Sequence, residues 1–477
     1  SNSTILLALL LLLPGFASNV MAQTSQRPNF IVVMADDLGY GDLGIYGSTL
    51  IDTPNIDLMA LQGMRLNSFY SSANVCTAAR GGLLTGRYPI RLNLVSDVAR
   101  PTNEIHIARD EITLAEALKE LGYSTALFGK WHLGTLTKTV KDANRGGPRS
   151  AKHFSPPQAN GFDVCFSTES KVPTFDPLLR PKGNNSGKWW DAVSVAGEAK
   201  PYGTAYWNER GESVTGNTRG DDSRVIMDRA IPFIRGAARR GQPFFGIVWF
   251  HAPHLPVVAG PRHTAMYAGH AKYAQHYYGC ITALDEQIGR LRAELRALGV
   301  ADDTVLFFCS DNGPEGQASS APGTAANLSG RKRSLLEGGI RVPGIVEWPG
   351  RVKAGRTTDI PCVTSDYLPT ILRWLEAKPV SDRPIDGMSL VPLLDGNLAK
   401  RGQPIGFESK GQLAWIGDRY KLYRKGGAAE FKLFDLVADP SEKNDLAKAK
   451  PRLAKRLAGE LAAWRASCQA SAAGKDY

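Results

Sequence analysis

Short apolar runs recur along the chain, and each is followed by signals of a helix. Four of them have the length and the aromatic or β-branched content of buried strands. They are FIVVMA at 30–35, TALF at 125–128, FFGIVWF at 244–250 and TVLFFC at 304–309. Thr113 and Glu116 form a capping box for one helix, and a long amphipathic helix is predicted from about residue 273 to 298. This alternation predicts an α/β fold with a large, mostly parallel central sheet flanked by helices.

Two segments depart from the alternation. Residues from about 135 to 220 are rich in Gly, Asn, Lys and aromatic side chains, which is typical of an insertion near a substrate mouth. After about residue 400, short strand-like pieces precede a basic helix at about 452–466. We therefore expect a main domain over residues 28–395, and a C-terminal subdomain over 396–477 made of a small antiparallel sheet with a helix packed on it.

The chain opens with the apolar run ILLALLLLL at residues 5–13, followed by Pro14, Gly15 and small residues around Ala22. This run is too short to cross a bilayer, which takes about 20 helical residues, but it has the length of a secretory signal core. A buried apolar helix is the alternative. We expect residues 1–22 to be a signal peptide and the protein to be secreted or periplasmic, without a membrane anchor.

The composition indicates a folded protein, and the net charge indicates a negatively charged partner. Over 477 residues, a hydrophobic content of 43% and a charged content of 22% exclude a disordered chain. The 57 Lys and Arg against 46 Asp and Glu leave a net charge of +11, which attracts polyanions. Outside the cell the expected polyanion is a sulfated or acidic polysaccharide rather than nucleic acid, although a merely soluble basic protein would carry the same charge.

Polar side chains follow each of the four predicted strands. The carboxyl ends of parallel strands meet at one edge of a sheet, where ligands bind in open α/β folds. Each pair alone also fits a turn, a helix cap or a buried structural histidine. Together they predict one converging site, since buried charges need partners. The residues are Asp36 and Asp37, Lys130 and His132, His251 and His254, and Asp311 and Asn312.

Four of these residues offer only oxygen or amide ligands: Asp36, Asp37, Asp311 and Asn312. Oxygen donors suit a hard cation such as Ca²⁺ or Mg²⁺ rather than zinc, and Ca²⁺ is the expected ion outside the cell. The six cysteines include no CxxC pair, which argues against a Cys-based zinc site. A hard cation here would polarise an anionic ester beside a nucleophile.

The nucleophile candidate is Cys76, in the segment NVCTAARGGLLTGR that begins at residue 74. The residue lies where the chain enters a predicted helix, so amide groups and the helix dipole favour negative charge beside it. Arg80 follows one turn later on the same face and could hold an anion. A small, buried and inert cysteine is the alternative.

The segment from Cys76, CTAARGGLLTG, resembles the signature of the type I formylglycine-dependent sulfatases of the alkaline phosphatase superfamily, most of all the bacterial secreted polysaccharide sulfatases. Three more segments resemble family motifs in order: GYSTALFGKWH at 122–132, SDNGPEG at 310–316, and Lys332 followed by LEGGIRVP at 336–343. The chain has Ala78 where the family usually has Pro, and Phe128 where the family has a smaller residue. The resemblance implies an alkaline phosphatase-like fold.

The resemblance also implies a cofactor and a reaction. Cys76 would be converted to formylglycine by a formylglycine-generating or anaerobic maturase enzyme, and its hydrate would attack the sulfur of a sulfate monoester. Asp36, Asp37, Asp311 and Asn312 would hold one Ca²⁺, which would also contact residue 76. The implied substrate is a sulfated oligo- or polysaccharide.

Five cationic or imidazole side chains complete the implied machinery. Arg80 and Lys130 would orient the hydrate and neutralise charge on the sulfuryl oxygens. His132 would take a proton from the remaining hydroxyl. His254 would protonate the leaving alcohol, with Lys332 beside it on the sulfate. His251 matches no motif position and is expected either to be structural or to support the residues that contact the substrate.

Two other functions remain open at this point. A relative in the same superfamily could hydrolyse phosphate mono- or diesters, although such enzymes commonly use two zinc ions and a Thr or Ser nucleophile. A non-catalytic secreted carbohydrate-binding protein could keep the fold, although every expected catalytic position is filled here.

Overall fold

A computed structural model of the chain describes residues 27–95, 97–99, 103, 105–140, 153–183, 190–191, 199–379 and 381–476. The predicted signal peptide lies outside these residues. The described strands are β1 (Asn29–Ala35), β2 (Met64–Leu66), β3 (Phe69–Tyr70), β4 (Ser124–Lys130), β5 (Val164–Thr168), β6 (Lys182–Gly183), β7 (Trp190–Asp191), β8 (Tyr206–Asn208), β9 (Ser213–Val214), β10 (Phe244–Trp249), β11 (Thr304–Ser310), β12 (Gly344–Glu347), β13 (Arg356–Thr358), β14 (Cys362–Val363), β15 (Ile405–Ser409), β16 (Gln412–Ile416), β17 (Tyr420–Arg424) and β18 (Lys432–Asp435).

The α-helices are α1 (Pro54–Gln62), α2 (Cys76–Thr85), α3 (Leu114–Glu120), α4 (Asp222–Arg239), α5 (Pro261–Met266), α6 (Lys272–Ala297), α7 (Glu337–Ile340), α8 (Tyr367–Trp374), α9 (Val391–Leu394) and α10 (Pro451–Ala472). The capping box predicted for α3 is present, because Thr113 Oγ1 accepts from the Glu116 amide and Glu116 Oε2 accepts from the Thr113 amide. Thr53 precedes α1 but makes no capping hydrogen bond to it.

The large sheet has ten strands in the order β13-β2-β12-β11-β1-β10-β4-β5-β8-β9. Its centre is parallel, from β11 through β1, β10 and β4 to β5. The four strands predicted from the sequence are the four central ones, β11, β1, β10 and β4. This confirms the predicted fold class.

Both faces of this sheet are buried, which explains why the central strands are apolar throughout. Along β1, Phe30, Val32 and Met34 belong to one core with α2, α3 and α8. Ile31 and Val33 belong to a second core with α1, α4 and α6. The registers align Met34 with Trp249 and with Cys309, so the carboxyl ends of these strands lie side by side.

The C-terminal part of the chain forms a four-stranded antiparallel sheet in the order β15-β16-β17-β18, with α10 against β16 and β17. The predicted antiparallel sheet and helix are thus present. Strand β15 was not predicted, and α10 extends to Ala472, beyond the predicted end. In the predicted insertion, β8 and β9 extend the large sheet as an antiparallel edge next to β5.

Candidate active site

The carboxyl edge of the central sheet carries a buried cluster of polar side chains. Asp36 and Asp37 follow β1 directly, and Asp311 and Asn312 follow β11. Lys130 is the last residue of β4. Cys76 begins α2, whose ten residues are all buried, so the helix holds its first turn firmly against this edge. The strand ends named from the sequence therefore meet in one place.

Asp36 joins the cysteine to two cations. The Cys76 thiol donates to Asp36 Oδ1 at 3.4 Å, and Lys130 Nζ donates to Asp36 Oδ2 at 2.5 Å. Arg80 Nη2 lies 3.4 Å from the same oxygen. Burial alone would raise the pKa of Asp36, but the positive charges of Lys130 and Arg80 hold it well below its usual value. Asp36 is therefore an anion at neutral pH.

Arg80 is fixed from three sides. Its Nη2 donates to Asp311 Oδ2 at 2.9 Å and its Nη1 donates to the carbonyl of Lys130 at 2.8 Å. Its guanidinium carbon lies 4.9 Å from the centre of the Trp249 ring. The side chain is fully buried. A planar group held by two hydrogen bonds and an aromatic ring has one orientation, as a preorganised cation needs.

Asp37 joins the cluster through a strained backbone. Its φ is +65°, and its amide donates to Asp311 Oδ1 at 3.1 Å. Its Oδ1 accepts from Asn312 Nδ2 at 2.7 Å and from Lys332 Nζ at 2.6 Å. Burial raises the pKa of Asp37 to about 7, against the effect of Lys332 and with that of Asp36. Burial and the neighbouring carboxylates of Asp36 and Asp311 thus outweigh the stabilising effect of Lys332 on the Asp37 carboxylate.

The cluster fits a hard divalent cation. Asp37 Oδ2 and Asn312 Oδ1 are buried and have no hydrogen-bond partner in the part of the chain that the structure describes. One ligand atom each of Asp36, Asp37, Cys76 and His254 lies within 4.8 Å of the others. Buried oxygens without donors are costly, and a cation would satisfy them. Asp311 already accepts at both oxygens, and a carboxylate has lone pairs for further ligation.

The three histidines predicted near this edge differ in position. His254 Nε2 lies 3.7 Å from Asp37 Oδ2, and its Nδ1 is 2.6 Å from the Leu255 carbonyl. His132 has φ +58°, and its carbonyl accepts from Thr77 Oγ1 at 2.8 Å, next to the cysteine. His251 turns away: Nδ1 pairs with Asp222 at 2.8 Å and Nε2 with Thr168 at 2.7 Å.

Burial determines the protonation of two groups here. Burial, with Asp311 and Asp36 nearby, raises the pKa of the Cys76 thiol. The unmodified side chain is therefore a thiol and not a reactive thiolate at neutral pH. Burial, with Lys130 and Lys332 nearby, lowers the pKa of His254 well below its usual value despite the attraction of Asp36. Its ring is neutral before any anion enters.

Above Cys76 lies a pocket of about 470 Å³. His132, His254 and Lys332 line it, as do residues to which sequence reasoning gave no role: Asp97, Ser170, Lys171, Glu315, Arg333, Ser409 and Lys410. Glu315 and Arg333 lie inside or beside recognised motifs, which was a usable signal. Ser409 and Lys410 come from the C-terminal sheet, and nothing in the local sequence places that sheet at the pocket.

Among the described residues, no helix combines the length and the apolar character that crossing a bilayer requires.

Comparison with known proteins gives a consistent result. A family model described as Sulfatase matches residues 28–377. The rat N-acetylgalactosamine-6-sulfatase is 32% identical over 420 residues, which cover 84% of this chain and 72% of that protein. The N-acetylgalactosamine-6-O-sulfatase of Bacteroides thetaiotaomicron is 29% identical over 515 residues, covering 94% of this chain and 97% of that protein.

A solved structure extends the comparison to the fold. The crystal structure of Ps i-CgsB in complex with k-i-k-neocarrahexaose has a TM-score of 0.78 with 27% identity. The match covers 92% of this chain and 93% of the other. The similarity thus extends over nearly the whole length of both chains.

Proposed function

The chain belongs to the sulfatase family of the alkaline phosphatase superfamily and is a sulfuric ester hydrolase; on this premise we propose that it removes sulfate from a sulfated oligo- or polysaccharide. The proposal includes a formylglycine made from Cys76 and one bound Ca²⁺. The observation that carries it is the buried contact of Cys76 with Asp36, beside oxygens of Asp37 and Asn312 that have no donor in the described chain.

Asp36, Asp37, Asp311 and Asn312 would hold the cation, together with residue 76. The cation would supply Lewis-acid polarisation of the sulfate, and the hydrated aldehyde of formylglycine would supply the attacking oxygen. Oxygen donors of this charge favour Ca²⁺ over Mg²⁺, because Mg²⁺ keeps several waters and demands strict octahedral geometry.

The cationic side chains bind and orient the sulfate. Arg80 and Lys130 are fully buried beside Asp36, so they act in a medium of low dielectric where their attraction for developing negative charge is strong. Lys332 is also nearly buried and lies over Asp37, where it can reach a second sulfuryl oxygen. Together they hold the ester in one orientation before bond breaking.

The two pocket histidines move protons. His132 lies two residues after β4 and lines the pocket. It would take a proton from the remaining hydroxyl of the hydrated aldehyde at residue 76 while the bond from that carbon to the sulfate oxygen breaks. His254 also lines the pocket, and it gives a proton to the departing alcohol. A sulfate ester beside its ring favours the imidazolium, because a nearby anion raises the pKa of a histidine.

The substrate class rests on relatives and on charge. The relatives named above act on an N-acetylgalactosamine 6-sulfate, and the solved neighbour was crystallised with a neocarrahexaose. A net charge of +11 suits an acidic polymer outside the cytoplasm. We place the protein in a secreted or periplasmic location, matured by a formylglycine-generating or anaerobic maturase enzyme.

Replacement of Cys76 tests the proposal. Cys76→Ala removes the group that becomes the nucleophile, so hydrolysis of sulfate monoesters should fall by at least about 10³-fold. Cys165→Ala is the matched control, because Cys165 is also buried but lies on β5, paired with Leu127 of β4, and is not one of the site residues. Circular dichroism should show both variants folded. Equal activity of Cys76→Ala and the parent protein would overturn the proposal.

A further inference from the structure

The mouth of the pocket carries more positive charge than the reacting sulfate needs. Among the described residues that line it are four cations, Lys171, Lys332, Arg333 and Lys410, against two carboxylates, Asp97 and Glu315. Lys332 belongs to the cluster around Asp37. Arg333 and Lys410 lie farther out, with 57% and 56% of their side chains exposed. A pocket of about 470 Å³ is also much larger than a sulfate group.

Arg333 and Lys410 also share an uncommon backbone conformation. Ten non-glycine residues in the described chain have φ in the left-handed region, and four of them belong to this site: Asp37, His132, Arg333 and Lys410. L side chains seldom adopt this conformation, and such residues gather at functional sites. Asp37 and His132 were expected at the site from the sequence. Arg333, with φ +73°, and Lys410, with φ +45°, share their strain and line the same pocket.

Lys410 is an unusual choice for its turn. Ser409 pairs with Gln412 across the β15–β16 hairpin, leaving Lys410 and Gly411 as a two-residue loop with φ of +45° and +78°. Two positive φ values are typical of a type I′ turn, which favours Asn, Asp or Gly at its first position. Turn geometry therefore does not explain a lysine at this position.

Hydrogen bonds lock this hairpin onto the site. Gln412 Nε2 donates to the carbonyl of Arg333 at 2.8 Å, and the amide of Arg333 donates to the carbonyl of Asn74 at 3.0 Å. Asn74 lies two residues before Cys76. The C-terminal hairpin, Arg333 and the cysteine loop thus form one connected wall of the pocket.

The two outer cations differ in how closely an acidic side chain pairs with them. Arg333 Nη1 donates to Glu315 Oε1 at 2.7 Å, which fixes the guanidinium at the wall. Lys410 Nζ lies 3.7 Å from Asp97 Oδ1, and a long, exposed ion pair contributes little to stability. An anion that enters the pocket can therefore replace Asp97 as the partner of Lys410.

We propose that Arg333 and Lys410 bind a second anionic group of the substrate, so that the preferred substrate is a saccharide with another sulfate or a carboxylate besides the sulfate that is removed. This inference rests on the proposed function and deepens it. The residues act on binding and specificity, whereas the cluster around Cys76 acts on the reacting ester.

The test compares matched saccharides on the mature enzyme and on Lys410→Asn, which removes the ammonium and suits a left-handed backbone. The probes are galactose, N-acetylgalactosamine and N-acetylglucosamine with one sulfate, the same rings with two, and disaccharides with one sulfate and one uronate. The measured quantity is the ratio of kcat/KM for a probe with two anions to that for the probe with one. We expect Lys410→Asn and Lys410→Gly to lower this ratio about tenfold, as loss of one charge-assisted hydrogen bond does.

Lys432→Asn is the control, since Lys432 is exposed on β18 at the other edge of the same sheet. Lys432→Asn should leave this kcat/KM ratio within about twofold of the value for the parent enzyme. If the ratio falls only for disulfated probes the second anion is a sulfate, and if only for uronates it is a carboxylate. An unchanged ratio in both Lys410 variants would overturn the proposal.

A binding measurement separates this inference from the proposed function. The Cys76→Ala protein cannot react, so calorimetry can compare its affinity for the one-anion and two-anion probes with and without Lys410→Asn. If the mature enzyme hydrolyses no sulfate ester, the proposed function fails. Whether or not the enzyme hydrolyses these probes, the inference about Lys410 fails if the affinity difference between the one-anion and two-anion probes is the same with and without the lysine.

Discussion

At the scale of single residues, Asp37 shows how the site departs from ordinary packing. The residue has a left-handed backbone, a buried carboxylate with an oxygen that lacks a donor in the described chain, and a pKa raised to about 7 by burial. The strained backbone and the buried oxygen without a hydrogen-bond donor both cost folding free energy. A bound cation would offset that cost. The neighbouring Asn312 Oδ1 is also buried and accepts no hydrogen bond in the described chain.

Cation binding can be measured on the unmodified protein. Chelator-stripped protein should bind Ca²⁺ more tightly than Mg²⁺ in calorimetric titration, and Asp37→Asn should weaken Ca²⁺ binding about 10-fold or more, because it removes a charged ligand. At a Ca²⁺ concentration of about 100 Kd, the ion should add about 2.7 kcal/mol to the free energy of unfolding.

Asp57→Asn is the control for that titration, since Asp57 is a partly buried aspartate bonded to the Ile45 amide outside the cluster. It should bind Ca²⁺ as the parent protein does. Equal Ca²⁺ affinity of the Asp37 variant and the parent protein would show that the cation is held elsewhere.

At the scale of elements, the C-terminal sheet is tied to the main domain by buried charge. Lys421 on β17 is fully buried, 2.9 Å from Glu337 Oε1 and 2.9 Å from Glu442 Oε1. Glu337 begins α7 and also accepts from the Tyr70 hydroxyl at 2.8 Å. One lysine thus joins β17 to the segment that precedes β12.

Removal of this lysine should loosen the junction. Lys421→Ala leaves Glu442 without this cation and leaves Glu337 with Arg341 at 3.5 Å, so the free energy of unfolding should fall by about 3–5 kcal/mol. Urea unfolding followed by tryptophan fluorescence measures this. The exposed Lys432→Ala should change it by less than about 0.5 kcal/mol. A similar small change in Lys421→Ala would mean that the buried pairs contribute little to the junction.

The elements also show what local sequence can and cannot predict. The central strands were predictable because burial on both faces leaves long apolar runs such as that of β10, and α3 because its capping box is a local signal. The acids after β1 and β11 were predictable because parallel strands end at one edge. Lys410 was not predictable, because its position depends on how a hairpin far along the chain packs against the segment around Arg333.

At the scale of the whole molecule, the net charge of +11 governs how substrate arrives. The positive field of the chain attracts an acidic polymer over distances comparable to the Debye length, which falls from about 30 Å at 0.01 M salt to about 3 Å at 1 M. The electrostatic potential inside the pocket is also positive, because cations outnumber carboxylates among the described residues that line it.

Salt should therefore discriminate between substrates. Between about 0.01 M and 1 M NaCl, kcat/KM for a sulfated oligosaccharide should fall about tenfold or more, because steering of a polyanion is screened. For a small aryl sulfate with one charge the fall should be several-fold smaller. Steady-state kinetics on both substrates measures this, and parallel salt curves would refute long-range steering.

The modification of residue 76 is the claim on which the mechanism depends, and intact-protein and peptide mass spectrometry test it most directly. Protein made together with its maturing enzyme should contain a peptide in which the sulfur of Cys76 is replaced by oxygen with loss of two hydrogens. The same peptide should react with an aldehyde-specific reagent, and sulfatase activity should scale with the fraction converted. Full sulfatase activity in protein whose Cys76 remains entirely a thiol would contradict the account.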